Sequence, residues 1–122
     1  MIVEDNIIHA KFLNYSFINR FGCSAALVQS TVSVEGAVSL LSGNKFDLVV
    51  LDSEIVGGSG REVLKYIRSS EFNRNVPVIA QTGHLMEKAE LEEQGYDAYL
   101  LKGFKTKDLF GIVKKLLLDE RD

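Results

Sequence analysis

The chain has one cysteine, one proline and no apolar run long enough to cross a membrane. A lone Cys23 excludes a disulfide framework and a cysteine-based zinc site, and its place after Gly22 reads as a small packed side chain. A reducing cytoplasm is the natural setting for such a chain. No segment approaches the ~18 apolar residues of a membrane span, and no secretory signal pattern is present, so insertion into a bilayer by this domain is not expected. Positive charge is also short: 14 Lys and Arg stand against 17 Asp and Glu, a net charge of −3. That balance disfavours direct nucleic-acid binding or an anionic membrane surface, and the group Lys105, Lys107, Lys114 and Lys115 reads as a solvated helix face. Pro77, the single proline, precedes a strand-like run, where its missing N–H does little harm.

What remains is ordinary for one globular domain. The 122 residues are 46% hydrophobic and 25% charged, enough to bury a real core, and residues 1–122 read as a single unit without linker, repeat or low-complexity stretch. Apolar runs at Met1–Val3, Ala25–Gln29, Leu48–Leu51, Val78–Ala80 and Ala98–Leu101 alternate with amphipathic stretches. The helices are expected over about Ile7–Phe21, Val34–Leu41, Gly60–Ser69, Met86–Gln94 and Lys107–Leu118. Leu109, Ile112, Val113, Leu116 and Leu117 repeat at spacings of three and four, the mark of a core-facing helix stripe. The run LVVL lacks polar alternation, as a central parallel strand buried on both faces requires. Asp5-Asn6, Ser33, Ser59 and Thr106 supply helix starts, and Gly22, Gly43 and Gly95 supply stops. Five such βα units give a doubly wound α/β sheet of order 2-1-3-4-5. The first strand has only about three residues before its acids, against a usual five or six, which suggests a domain cut from a longer polypeptide, with a naturally short chain as the alternative.

Glu4, Asp5, Asp52, Thr82 and Lys102 each stand where an apolar run ends: MIVED, LVVLD, VIAQT, YLLK. In an open parallel sheet those ends share one edge, and ligands bind in the crevice there. Carboxylates gathered at ~4 Å in an effective dielectric of ~20 repel by about 4 kcal/mol per pair, so the cluster must hold a divalent cation, shift a pKa, or do both. Asp52 ends the most apolar strand. A carboxylate so placed can attack a phosphoryl group, with Glu4 and Asp5 at a Mg2+ ion and Lys102 as a point charge for a phosphoryl oxygen.

These residues carry a resemblance over essentially the whole chain. The acidic pair in VEDN, the Asp in LVVLDSEIVGGSG with glycine eight residues on, the Thr in VIAQTG and the Lys in AYLLKGF resemble the receiver domain of two-component response regulators. The resemblance implies a three-layer, flavodoxin-like α/β/α fold and a phosphoacceptor that assists its own phosphorylation and dephosphorylation without being an enzyme. Asp52 would take phosphate from a histidine kinase or a histidine phosphotransfer domain. Glu4, Asp5, Asp52 and the backbone carbonyl of Glu54 would hold Mg2+, with Mn2+ as a substitute. Lys102 would grip the phosphoryl group. Thr82 and Tyr99 would form the switch pair, with Gly83 leaving room beside Thr82. The face made by the fourth helix, fifth strand and fifth helix would pass the change to a downstream output domain or protein. The VEDN opening suits a receiver from a hybrid sensor histidine kinase or phosphorelay.

Each residue has a plainer role open to it: Asp5 and Thr82 as helix caps, Tyr99 as half-buried strand packing, His9 as a surface residue of the first helix. The chain also departs from the family pattern. Val56 and Gly103 stand where prolines are usual, and because a non-proline cis bond costs about 2.5–4 kcal/mol, the Lys102–Gly103 bond is expected to be trans. Glu54 and His84 occupy positions that would face the attacking water and so could tune the phosphoryl lifetime. The lost prolines give standing to an alternative, a phospho-independent interaction domain on the same fold. A haloacid-dehalogenase-type hydrolase would need an acid-base Asp where Glu54 stands, and a cap domain. A flavin binder would need a glycine- and hydroxyl-rich loop where EDN stands.

Overall fold

The computed structural model describes residues 1–4, 6–19, 30–31, 33–55, 57–83 and 88–117. Its elements run β1 (Ile2–Val3), α1 (Ile7–Asn19), β2 (Ser30–Thr31), α2 (Val34–Gly43), β3 (Val49–Asp52), β4 (Glu54–Ile55), β5 (Gly58–Ser59), α3 (Gly60–Ser69), β6 (Val78–Thr82), α4 (Lys88–Gln94), β7 (Ala98–Leu101) and α5 (Thr106–Leu117). The main sheet is parallel throughout, in the order β2-β1-β3-β6-β7, which is the expected 2-1-3-4-5 arrangement of its five strands. The expected second strand over 25–29 and the packing of Cys23 lie outside the described residues. β4 and β5 form a separate two-stranded antiparallel hairpin that the sequence did not announce.

Helix ends follow the side chains that satisfy their free N–H groups. Asn6 Oδ1 accepts the His9 N–H at 3.0 Å, and Ser33 Oγ accepts the Gly36 N–H at 3.0 Å. Glu62 reaches back to the Ser59 N–H at 3.3 Å, and Asp108 to the Lys105 N–H at 2.9 Å.

The sheet separates two cores, and strand alternation decides which side each residue serves. Val49 and Leu51 pack with Ala37 and Leu41 of α2 and Val63, Leu64 and Ile67 of α3. Leu48 and Val50 pack on the opposite face with Leu13 and Phe17 of α1 and Leu109 and Val113 of α5. The LVVL run is therefore buried on both sides. All four residues of β3, Asp52 included, are buried. The strand that carries the phosphoacceptor candidate is buried along its whole length, and its end defines the site.

Candidate functional site

The site begins with register. Ile2 lies opposite Val50 and Val3 opposite Leu51, so continuing one residue sets Glu4 beside Asp52. Asp52 in turn lies opposite Gln81, and Gln81 opposite Leu100. Glu4, Asp52 and Gln81 each stand two residues beyond a member of the α1/α5-side core, namely Ile2, Val50 and Ile79, so they share that face at the C-terminal edge. All three are essentially inaccessible to solvent, at 1%, 0% and 0% exposure.

Lys102 closes the site from beyond β7. Its Nζ lies 3.1 Å from Asp52 Oδ2 and 3.1 Å from Oδ1, so one ammonium serves both carboxylate oxygens. The backbone holds it there: Lys102 N–H donates to the Thr82 carbonyl at 2.7 Å, and Phe104 N–H to the Leu101 carbonyl at 3.1 Å. The Lys102–Gly103 bond is trans as expected, and Gly103 has φ +97°. Proline is fixed near φ −65° and could not sit in this turn as it stands. The loop has taken a glycine solution in place of the proline one.

Glu4 is the electrostatically strained member. Burial, then a hydrogen bond with the Asp52 carboxyl and that group's negative charge, push its pKa up to about 7; the Asn6 N–H and the Lys102 charge pull the other way. Glu4 Oε2 accepts the Asn6 N–H at 3.0 Å, and Oε1 accepts Gln81 Nε2 at 2.8 Å. A buried carboxyl that resists ionisation beside a second buried carboxylate is a donor set suited to a hard divalent cation. Asp5, expected as a further ligand, lies outside the described residues, and among the described residues no group of three metal-ligating side chains gathers. The Glu54 backbone stands in β4, two residues past Asp52.

The glycine eight residues after Asp52 now has a reason. A Cβ on Gly60 would press against the carbonyl oxygen of Asp52, and the Gly60 N–H donates to the Ser53 carbonyl at 3.0 Å. Only glycine lets α3 start this close to the end of β3.

Thr82 ends β6, buried, two residues beyond Ala80 and so on the α2–α4 side of the sheet. Tyr99 lies opposite Ala80 and packs, half-buried, against the same core. The two residues thus share a face, one turn of the pleat apart. Thr82 reaches the common edge from the side opposite Glu4 and Asp52, and Tyr99 lies two residues short of the end of its strand. His84 and Val56 lie outside the described residues.

Two residues of the site escaped the sequence reading. Gln81 is a buried polar residue in an otherwise apolar strand, and that misfit was its one visible signal. His9 is not the plain surface residue expected of its helix position. Its Nε2 lies 2.7 Å from Gln81 Oε1 and 3.6 Å from Glu4 Oε1.

The pattern of the response regulator receiver domain matches residues 1–114. The chain belongs to that family. Receiver domains work in two-component signalling, between histidine kinases and output domains. Among curated proteins, the chain is 30% identical to the polar-differentiation response regulator DivK of Brucella ovis, over 98% of this chain and 95% of that protein. It is 38% identical to the sensor protein GacS of Pseudomonas syringae over 69% of this chain, and 29% identical to the transcription factor SKN7 of Candida albicans over 100% of it. The chain spans only 10% of that sensor protein's length and 21% of that transcription factor's. In three dimensions it resembles the receiver domain of a sensor histidine kinase from Pseudomonas aeruginosa, a structure with magnesium coordinated in its active-site cleft (TM-score 0.83, 23% identity, 97% of this chain and 95% of that one). A response regulator from Chloroflexus aurantiacus gives the same TM-score of 0.83 at 26% identity, over 96% of this chain and 94% of that one. No described helix of this receiver domain is long and apolar enough to cross a membrane.

Proposed function

We propose that residues 1–122 form one cytoplasmic receiver domain that accepts a phosphoryl group on Asp52. The observation that carries this reading is the pairing of a fully buried Asp52 carboxylate with Lys102 Nζ at 3.1 Å from both of its oxygens. In the proposed reaction a carboxylate oxygen of Asp52 attacks phosphorus, the P–N bond to the donor's phosphohistidine breaks, and the imidazole leaves with a proton. The Lys102 ammonium, already on Asp52, swings to a phosphoryl oxygen and offsets charge as the bond forms.

Mg2+ would be held by Glu4, Asp5, Asp52 and the Glu54 carbonyl, with Mn2+ as a substitute. A bound cation there supplies charge neutralisation between the attacking carboxylate and the phosphoryl oxygens. The raised pKa of Glu4, caused by burial and then by the neighbouring Asp52 carboxyl, supports this, since a cation would offset the cost of ionising a buried carboxyl there.

The new group adds about −1.5 to −2 charge next to Thr82. The Thr82 hydroxyl turns toward it, and Tyr99, on the same face of the sheet, follows inward. The surface of α4, β7 and α5 then changes for an output domain or partner protein. The likeness to a sensor protein supports a parent chain in which this receiver is joined to a histidine kinase. Neither nucleic acid nor bilayer is a partner in this reading.

The test is incubation with Mg2+ and acetyl phosphate, read by intact mass. One adduct of about 80 Da, absent from Asp52→Asn, is the expected result. No adduct on the wild-type chain at any Mg2+ concentration would instead favour a phospho-independent interaction domain.

A further inference from the structure

A chain of contacts runs from the acidic site through Gln81 to α1, and nothing in the phosphoryl-transfer chemistry uses it. Gln81 presents its amide nitrogen to Glu4 Oε1 at 2.8 Å, while Glu4 Oε2 accepts the Asn6 N–H at 3.0 Å. That fixes the amide: Gln81 Oε1 faces His9 Nε2 at 2.7 Å, and His9 must be the donor there. The His9 ring is held from two sides. Phe12 stacks on it at 5.8 Å with planes 21° apart, and Phe104 meets it edge-on at 5.4 Å. Phe104 lies two residues after Lys102, on the turn that Gly103 makes in place of proline. His9 therefore touches both halves of the site: the Glu4 side through Gln81, and the Lys102 loop through Phe104.

We propose that Gln81 and His9 are positioning residues: the His9 Nε2–H locks the Gln81 amide, and the locked amide aims the Glu4 carboxylate at the cation. This inference rests on reading Glu4 and Asp52 as the cation and phosphoryl site. In a buried site the alternative to a locked amide is a flipped one, which would set the Gln81 oxygen against the Glu4 carboxylate and spoil the ligand's direction. Partners of this kind, one step removed from a ligand, typically govern metal affinity by 10–100-fold. Phe104 adds the mechanical part, by keeping the imidazole in the plane where its Nε2 meets Gln81.

The experiment uses His9→Phe, which retains a ring between Phe12 and Phe104 but removes the donor, with Gln81→Leu and the double variant. Mn2+ affinity is measured by electron paramagnetic resonance titration, and Asp52 phosphorylation by acetyl phosphate is followed against Mg2+ concentration. Each single variant is expected to weaken Mn2+ binding by about tenfold. The phosphorylation rate at saturating Mg2+ should stay within about threefold of wild type, so the loss appears in the metal requirement rather than in the maximal rate. The double variant should be no worse than Gln81→Leu, because the two residues act in series. Long-range 15N spectra of the wild-type chain should show His9 protonated on Nε2. Unchanged Mn2+ affinity in both single variants, additive losses in the double variant, or a His9 proton on Nδ1 would each overturn the inference while leaving the phosphoacceptor reading intact. Failure of the wild-type chain to bind Mn2+ at all would overturn both.

Discussion

Glu4 gives the sharpest handle on the energetics. Its pKa is raised in the folded domain to about 7 from an ordinary value of 4.5, chiefly by burial and by the Asp52 carboxyl. Between those two values the folded state holds a proton that the unfolded state has released. Stability is therefore greatest below pH 4.5 as far as this group is concerned, and falls as pH rises through 7. A shift from 4.5 to about 7 corresponds to about 3 kcal/mol lost across that window. For a domain of this size that is about 10 °C in melting temperature. The assay is thermal unfolding in EDTA from pH 5 to pH 8, comparing the wild-type chain with Glu4→Gln. The wild type should lose stability across the window relative to the variant, which carries no titrating group at that position. Saturating Mg2+ should recover most of the loss at pH 8 and little of it at pH 5, since a protonated carboxyl is a poor ligand. Parallel curves for the two proteins in EDTA would refute the electrostatic argument.

Further expectations concern the loop and the helix that frame the site. Lys102→Met should slow acetyl-phosphate labelling by at least about tenfold, read by intact mass against time, because it removes the cation shared by both Asp52 oxygens. Gly103→Pro cannot keep φ +97°, so installing a proline should likewise slow labelling instead of improving it; a faster rate would show that the loop re-forms around the new residue. Gly60→Ala should cost more than about 2 kcal/mol in urea unfolding, from pressure on the Asp52 carbonyl. Gly111→Ala, in α5 with open space around the new methyl, should instead gain about 0.5–1 kcal/mol by the same measurement.

Much of the frame was legible because local patterns carried it. LVVL could only be a doubly buried strand, and the structure divides its residues between the two cores. α3 runs over Gly60–Ser69 as the sequence suggested, because Ser59 and Glu62 mark its start. The position of Asp52 against Lys102 followed from both residues ending apolar runs. What escaped depends on contacts distant in sequence. His9 looks like a surface residue until its partner, Gln81, is brought to it across 72 positions. Gln81 does carry a signal in the sequence, a polar side chain two residues after Ile79, on the core-facing side of its strand. The β4–β5 hairpin rests on two-residue arms, too short for any periodicity to register. In the sequence Gly103 stands only as a missing proline, whereas its positive φ shows a different turn serving the same lysine.

The most direct measurement is to locate the phosphoryl group. After labelling with acetyl phosphate and Mg2+, borohydride reduction converts an aspartyl phosphate to homoserine, and peptide sequencing by mass spectrometry identifies the modified position. Homoserine at residue 52, formed only with both Mg2+ and phosphodonor, is the expected result. A label at Glu4 or elsewhere, or none at residue 52 in a chain that binds the metal, would contradict the assignment of Asp52 as the phosphoacceptor.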